Sequence, residues 1–444
     1  MNFALNDEQL EWKRRCREFS RDVIRPAAPV HDADESVPWE VMKAARDAGL
    51  SGLEAIERTG SDPEGQLGPI YAEELHWGCA GIALAISGSG LAAAGLAASG
   101  TPEQIGRWVP ECLGTGDEMK LGAYAVTEPQ AGSDVKSLRT TARRDGDEWV
   151  LNGTKVFITN GGIADVNVVV ATVDPELGHR GQASFVVPKG TPGLRQGKKE
   201  SKLGIRASQT TELIFEDCRI PVDYLLGGMD KLERKLERAR SGESTGRASN
   251  ALATFELTRP MVGASALGIA QAAYEWTLEY FLEGREITDP IEQALDESST
   301  AGRPALERQG VQQVLADVAT EIEAARLLVQ RASWMGRNGI PLSAGQGSMS
   351  KLKGGDVAMW ATTRLMDVVG PAAWSSPLEK WFRDAKIYQL FEGTAQVQRL
   401  VISRMQAAEL RERLEGARAA LAAAEGRARP DGDEPAPEPA LATA

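Results

Sequence analysis

The strongest constraint on the fold is a hydrophobic pattern that changes twice along the chain. Residues 1–120 read as helical, opened by an Asn6/Gln9 capping box. From about Lys120, short β-prone runs at 166–170, 184–187 and 211–215 replace the helical spacing. Asp145-Gly146 and Asn152-Gly153 stand between such runs as hairpin turn signals. Helical patterns then return over 260–284, 308–337 and 344–369, and a last helix runs to about Arg427. This order predicts an α+β chain. An N-terminal helical domain (1–120) precedes a middle antiparallel β-domain (121–226) and a C-terminal four-helix-bundle domain (227–412). Residues 413–444 form a helix extension and an Ala/Pro/acidic tail expected to be disordered.

Composition narrows the function. The 444 residues carry a net charge of −13, which argues against nucleic acid as a main partner. His31, His76 and His179 are the three histidines, and none has another at metal spacing, so a zinc site or a His-based triad is not expected. Cys16, Cys79, Cys112 and Cys218 form no Cys-x-x-Cys pair and fit reduced thiols in the cytoplasm. No basic-then-apolar leader and no long apolar run is present, so neither a signal peptide nor a membrane span is predicted. A chain this poor in histidine favours a carboxylate as a working base.

The best-placed carboxylate is Glu392. In Trp381-Phe382-Arg383-Asp384-Ala385-Lys386-Ile387-Tyr388-Gln389-Leu390-Phe391-Glu392-Gly393-Thr394-Ala395-Gln396, one helix ends and another begins. Trp381, Ile387, Tyr388 and Leu390 give the first segment an apolar side, and Val397, Leu400, Val401 and Met405 give the second one. Gly393 breaks the run, and Thr394 is the expected N-cap. By itself, Glu392 reads more readily as a surface Glu beside a helix end than as a rigid base at a cavity.

This stretch resembles the catalytic segment of the acyl-CoA dehydrogenases, in which the Glu before Gly-Thr removes the α-proton of an acyl thioester. Four further motifs match, one of which, Lys202-Leu203-Gly204-Ile205-Arg206 through to Pro221, resembles the family's last β-domain strand. The first is Ala123-Tyr124-Ala125-Val126-Thr127-Glu128-Pro129-Gln130-Ala131-Gly132-Ser133-Asp134. The resemblance lays Tyr124, Val126, Thr127, Gly132 and Ser133 along FAD, with Ser133 also near the thioester. In Leu151-Asn152-Gly153-Thr154-Lys155-Val156-Phe157-Ile158-Thr159, it stacks Phe157 on the flavin and lets Thr159 donate to flavin N5. In Leu257-Thr258-Arg259-Pro260, it brings Arg259 close to the base and the substrate; an Arg paired with any helix-start Glu is the plain alternative. Thr394 and Gln396 would meet the far end of FAD. Ser87 and Gly88 would shape an acyl pocket, and Arg206 is a candidate for a CoA-side contact or a surface salt bridge.

The family implies FAD, an acyl-CoA substrate, an electron-transfer flavoprotein as partner, and a homotetramer or dimer in which a neighbouring subunit completes the FAD site. The residues for that shared edge are Arg285, Gln309 and Gly370. Here the sequence departs from the family. Gly284 stands in the register of an Arg, Ile287 replaces a Phe, and Asp367 replaces a Gln. Residues 293–306 and the 231–250 region are expansions. Alternatives are another thioester reaction (carrier-protein-bound acyl oxidation, oxidase turnover or elimination) and a non-catalytic partner subunit with a weakened FAD site.

Overall fold

A computed structural model describes residues 4–116, 118–242, 250–283 and 304–427. The first helices are Asp7–Phe19 (α1), Arg25–Asp34 (α2), Trp39–Asp47 (α3), Gly52–Ser61 (α4), Leu67–Gly78 (α5), Ala80–Ser87 (α6), Ser89–Ser99 (α7) and Pro102–Leu113 (α8). The predicted capping box is present: Asn6 Oδ1 accepts the Gln9 N–H at 2.9 Å, and Gln9 Oε1 accepts the Asn6 N–H at 3.1 Å. The small, apolar stretch after Cys79 forms two helices, α6 and α7. They bend by 40° at Gly88. Among the described residues no single helix is long and apolar enough to cross a membrane.

The strands are Gly122–Ala125 (β1), Thr141–Asp145 (β2), Glu148–Thr159 (β3), Val166–Thr172 (β4), Gln182–Pro188 (β5), Leu194–Lys199 (β6) and Thr210–Pro221 (β7). Their order is β1-β4-β2-β3-β7-β6, with β5 also on β4. Two features depart from expectation. The sheet is mixed, because β1 pairs parallel with β4. Alternation marks which face is buried but carries no strand direction, and the long β1–β4 connection is what a parallel pair needs. Asn152-Gly153 is also no turn. It lies inside β3 at a register shift, where Gly153 (φ +150°) backs onto Thr140. Asp145-Gly146 does close the β2–β3 hairpin.

Helices return as Gly228–Arg240 (α9), Asn250–Leu282 (α10), Gln309–Arg337 (α11), Gln346–Val369 (α12), Pro377–Ala385 (α13) and Ala395–Arg427 (α14). Helix α10 begins ahead of Pro260, the predicted start, so packing overrides the local cost of an interior proline. The packing is dense: Ala264, Ala266, Ala270 and Ala273 are fully buried with Ala358, Ala361 and Leu365 of α12 in one core. A Cβ on Gly354 would stand 2.6 Å from the Gly263 carbonyl oxygen, so only glycine lets α10 and α12 approach this closely. A second core joins the sheet to α1, α5 and α6. All four cysteines are buried, and none is in a disulfide.

Candidate active site

Close helix packing builds the site. A Cβ on Gly355 would meet the Tyr388 carbonyl oxygen at 2.5 Å, so α12 lies directly against the backbone leading to Glu392. Two residues there depart from right-handed backbone: Glu392 at φ +54° and Gly393 at φ +89°. A left-handed non-glycine residue costs about 1–3 kcal/mol and persists only where its surroundings hold it. The hold is visible. Gln398 Nε2 donates to the carbonyl oxygens of Glu392 (3.0 Å) and Gly393 (3.1 Å). Lys351 Nζ donates to the Gly393 carbonyl at 2.8 Å. Thr394 caps α14 as predicted, its Oγ1 accepting the Val397 N–H at 3.2 Å.

The helix faces around this turn differ from the predicted ones. Trp381 and Tyr388 are buried, but Leu390 and Leu400 are 46% and 56% exposed. The side chains buried at the start of α14 are Ala395 and polar Gln398. The turn, rather than apolar spacing, sets the phase of that helix.

The Glu392 side chain sits in a charged, desolvated niche. Its Oε2 is shielded from solvent and takes no hydrogen bond from any described residue. Burial pushes its carboxyl above the usual range, and the Lys351 and Arg259 cations pull it partly back. Arg259 is buried and donates Nη1 to Ser348 Oγ at 2.7 Å. The Tyr124 phenol is pushed up to about 12, first by burial and then by the Glu392 charge. The Tyr124 ring lies where Gly95 has no side chain: a Cβ there would be 2.7 Å from Tyr124 Cε2. In the same way Gly88 admits Thr159, whose Cγ2 would be 2.9 Å from an added Cβ. The bend between α6 and α7 therefore lies against the ends of β1 and β3. On the bend's other side is a cavity of about 180 Å³, lined by residues that include Tyr71, Ile86, Ser87, Gly90 and Met261.

The Tyr124–Ser133 stretch is fixed from beneath by a buried ion pair. Lys155 Nζ lies 2.8 Å from Glu128 Oε1 and donates to the Val126 carbonyl at 2.9 Å. Glu128 also accepts the backbone N–H groups of Arg139 (2.7 Å) and Thr140 (2.9 Å). These bonds hold its carboxyl at about 2 despite burial. Thr127 is half-buried, and its carbonyl accepts the Val156 N–H at 2.9 Å. Gly132 and Ser133 are exposed, and an added Cβ on Gly132 would meet nothing within 4 Å. Phe157 holds φ +58° and is 64% exposed, an aromatic face presented outward from a strained backbone. Sequence reasoning missed Lys351, Ser348, Gln398 and the Glu128–Lys155 pair; Glu128 and Lys155 each lay inside a quoted motif, which was the signal available for them, and the other three carried none.

The remaining predicted residues lie apart from this cluster. Gln396 is exposed and lines a groove of about 520 Å³ with Asp356, Trp360 and Arg399. Gln309 is exposed at the start of α11, and Gly370 (φ +76°) ends α12. The Asp367 carboxylate is 3.8 Å from Arg364, a cation that offsets the charge the sequence placed at the shared edge. Arg206 makes a salt bridge to Glu35 at 3.2 Å. Arg285, with Gly284, Ile287 and most of the 293–306 expansion, lies outside the described residues.

Comparison with known proteins accounts for this architecture. Residues 6–115, 123–218 and 248–407 match the N-terminal, middle and C-terminal domains of acyl-CoA dehydrogenase, respectively. The chain is 35% identical over 409 residues to the acryloyl-CoA reductase (NADH) of Anaerotignum propionicum, covering 91% of this chain and 95% of that one. It superposes on butyryl-CoA dehydrogenase from Megasphaera elsdenii with a TM-score of 0.77 at 33% identity, covering 91% and 99% of the two chains. A glutaryl-CoA dehydrogenase from Mycobacterium smegmatis, solved in complex with FADH2, aligns with a TM-score of 0.72 at 25% identity, covering 90% and 94%. The chain belongs to the acyl-CoA dehydrogenase family. It is an oxidoreductase of the acyl-CoA dehydrogenase type, and the family is FAD-dependent.

Proposed function

We propose that the protein oxidises an acyl-CoA thioester to the trans-2-enoyl thioester, with Glu392 as the base. One observation carries the assignment: Glu392 Oε2 is desolvated and has no hydrogen-bond partner among the described residues, while the Lys351 and Arg259 cations act on its charge. Such an atom is basic and available to an incoming C–H group. The Glu392 N–H also donates to no described backbone carbonyl, which leaves it for the thioester oxygen, where charge develops as the α-proton leaves.

The residues present suit FAD. Phe157 offers an exposed ring, Gly132 an open backbone, and Thr159 a hydroxyl beside the α6–α7 bend. Tyr124, Val126, Thr127 and Ser133 would run along the cofactor, with Thr394 and Gln396 toward its far end. FAD, when bound, supplies the two-electron acceptor for the β-hydrogen. Arg259 keeps positive charge beside the carboxylate, and the buried niche keeps water from the α-carbon. An electron-transfer flavoprotein would take the electrons onward, and a neighbouring subunit would use Gln309, Gly370 and Arg285. The acyl chain would lie toward the Ser87–Gly90 bend and its cavity.

The reading is tested by adding a panel of acyl-CoAs, anaerobically, to flavin-loaded protein and following the flavin absorbance. Bleaching by at least one acyl-CoA is expected. Bleaching only by NADH, with enoyl-CoA then restoring the colour, would replace it with the reductive direction that the name of the Anaerotignum propionicum relative describes.

A further inference from the structure

Lys351 is a cation in an unfavourable place. It is 1% exposed, and its Nζ is bonded to a backbone carbonyl, with no salt bridge to a carboxylate among the described residues. A buried ammonium without an ion pair costs several kcal/mol, and an apolar side chain of the same length would avoid that cost. Its partner is the Gly393 carbonyl, at 2.8 Å.

The geometry around it is convergent. Ser348 and Lys351 lie three residues apart on α12 and so share one face. Ser348 takes the Arg259 guanidinium from α10, and Lys351 takes the Glu392–Gly393 turn. Gln398, fully buried on α14, binds both carbonyls of that turn from the other side. A methyl at Gly393 would stand 2.5 Å from Gln398 Nε2 and 3.9 Å from Arg259 Nη2. The charged groups acting on Glu392 are Lys351 from α12 and Arg259 from α10, and the Glu392 charge in turn acts on Tyr124 from β1. Those facing Lys351 are Glu392, Arg259 and Asp356.

We propose that Lys351 is a positioning residue, holding Glu392 in its left-handed conformation through the Gly393 carbonyl and giving its carboxyl a facing positive charge. This rests on the reading of Glu392 as the base. A merely structural lysine would stabilise the fold without altering the protonation of Glu392. Burial brings the ammonium down to about 8, so it stays charged at neutral pH.

Two titrations on the FAD-loaded protein test it, neither requiring turnover. Carboxyl infrared spectra of protein labelled with ¹³C-Glu, subtracted against Glu392→Gln, isolate the Glu392 signal. In Lys351→Met the Glu392 midpoint should rise by about one pH unit or more, since loss of a nearby opposite charge moves a carboxylate by about 1–3 units. Lys353→Met, which alters the neighbouring half-exposed lysine paired with Glu321, should leave it unchanged. Coupling between two sites is reciprocal. In Glu392→Gln, the midpoint of Lys351 followed by ¹³Cε-lysine NMR should therefore fall by a similar amount. This second arm needs no change at Lys351, so it decides the matter if Lys351→Met does not fold. An unmoved midpoint in either arm overturns the proposal. Flavin bleaching retained in Glu392→Gln would instead remove Glu392 as the base, while both titrations would still report whether Lys351 sets its charge.

Discussion

Lys155 Nζ and Glu128 Oε1 lie 2.8 Å apart, with side chains 0% and 2% exposed, beneath the Tyr124–Ser133 stretch that faces the candidate site. The pair does more than neutralise itself. It ties Val126, Arg139 and Thr140 into one rigid floor through their backbones.

Lys155→Met should destabilise the protein by about 3–5 kcal/mol, because it strands the Glu128 charge in the interior. Adding Glu128→Gln to that variant should return part of the loss. Urea midpoints of the two single variants and the double one measure it; additive losses would show that the pair is not coupled.

Acid should weaken this floor. The folded Glu128 carboxyl sits at about 2, below its ordinary 4.5, so the unfolded chain takes up the proton first. Its contribution is complete above about pH 4.5 and is lost as pH falls through about 2. Unfolding free energy followed over that window should drop less steeply in Glu128→Gln than in the native protein.

Glu392→Gln should slow flavin reduction by an acyl-CoA by about 10²–10⁴-fold, the usual contribution of a positioned base, while flavin remains bound. Anaerobic stopped-flow absorbance reads both quantities. Reduction at the native rate would exclude this carboxyl as the proton acceptor.

Phe157 separates backbone strain from cofactor contact. Its ring is exposed and its φ is +58°, a conformation that glycine adopts freely. Phe157→Gly should leave thermal stability of the flavin-free protein unchanged or raised by about 1 kcal/mol. Flavin retention through gel filtration should nonetheless fall in that variant. Retention equal to the native protein would show that the ring stacks on nothing.

Much of this was legible before any coordinates, and the rest was hidden for identifiable reasons. Gly393 and Thr394 punctuate the chain, so the turn at Glu392 could be read locally. Lys351 could not, since a lysine in mid-helix reads as solvated. Its burial comes from Gly354 and Gly355, which let α12 close on α10 and on the Tyr388 backbone. The exchange of Leu400 for Gln398 as the buried residue depends on the helix phase fixed by the preceding turn. The parallel β1–β4 pair depends on strand direction, which residue alternation does not encode.

The four buried thiols lie in four separate parts of the protein: Cys16 in α1, Cys79 between α5 and α6, Cys112 in α8 and Cys218 in β7. Alkylation of each must await a local opening, because shielding keeps Cys112 protonated up to about 12 and Cys218 up to about 11. The protein thus carries its own set of timers. Counting modified sulfurs by mass as labelling proceeds would show whether the helical front and the sheet loosen one by one or together.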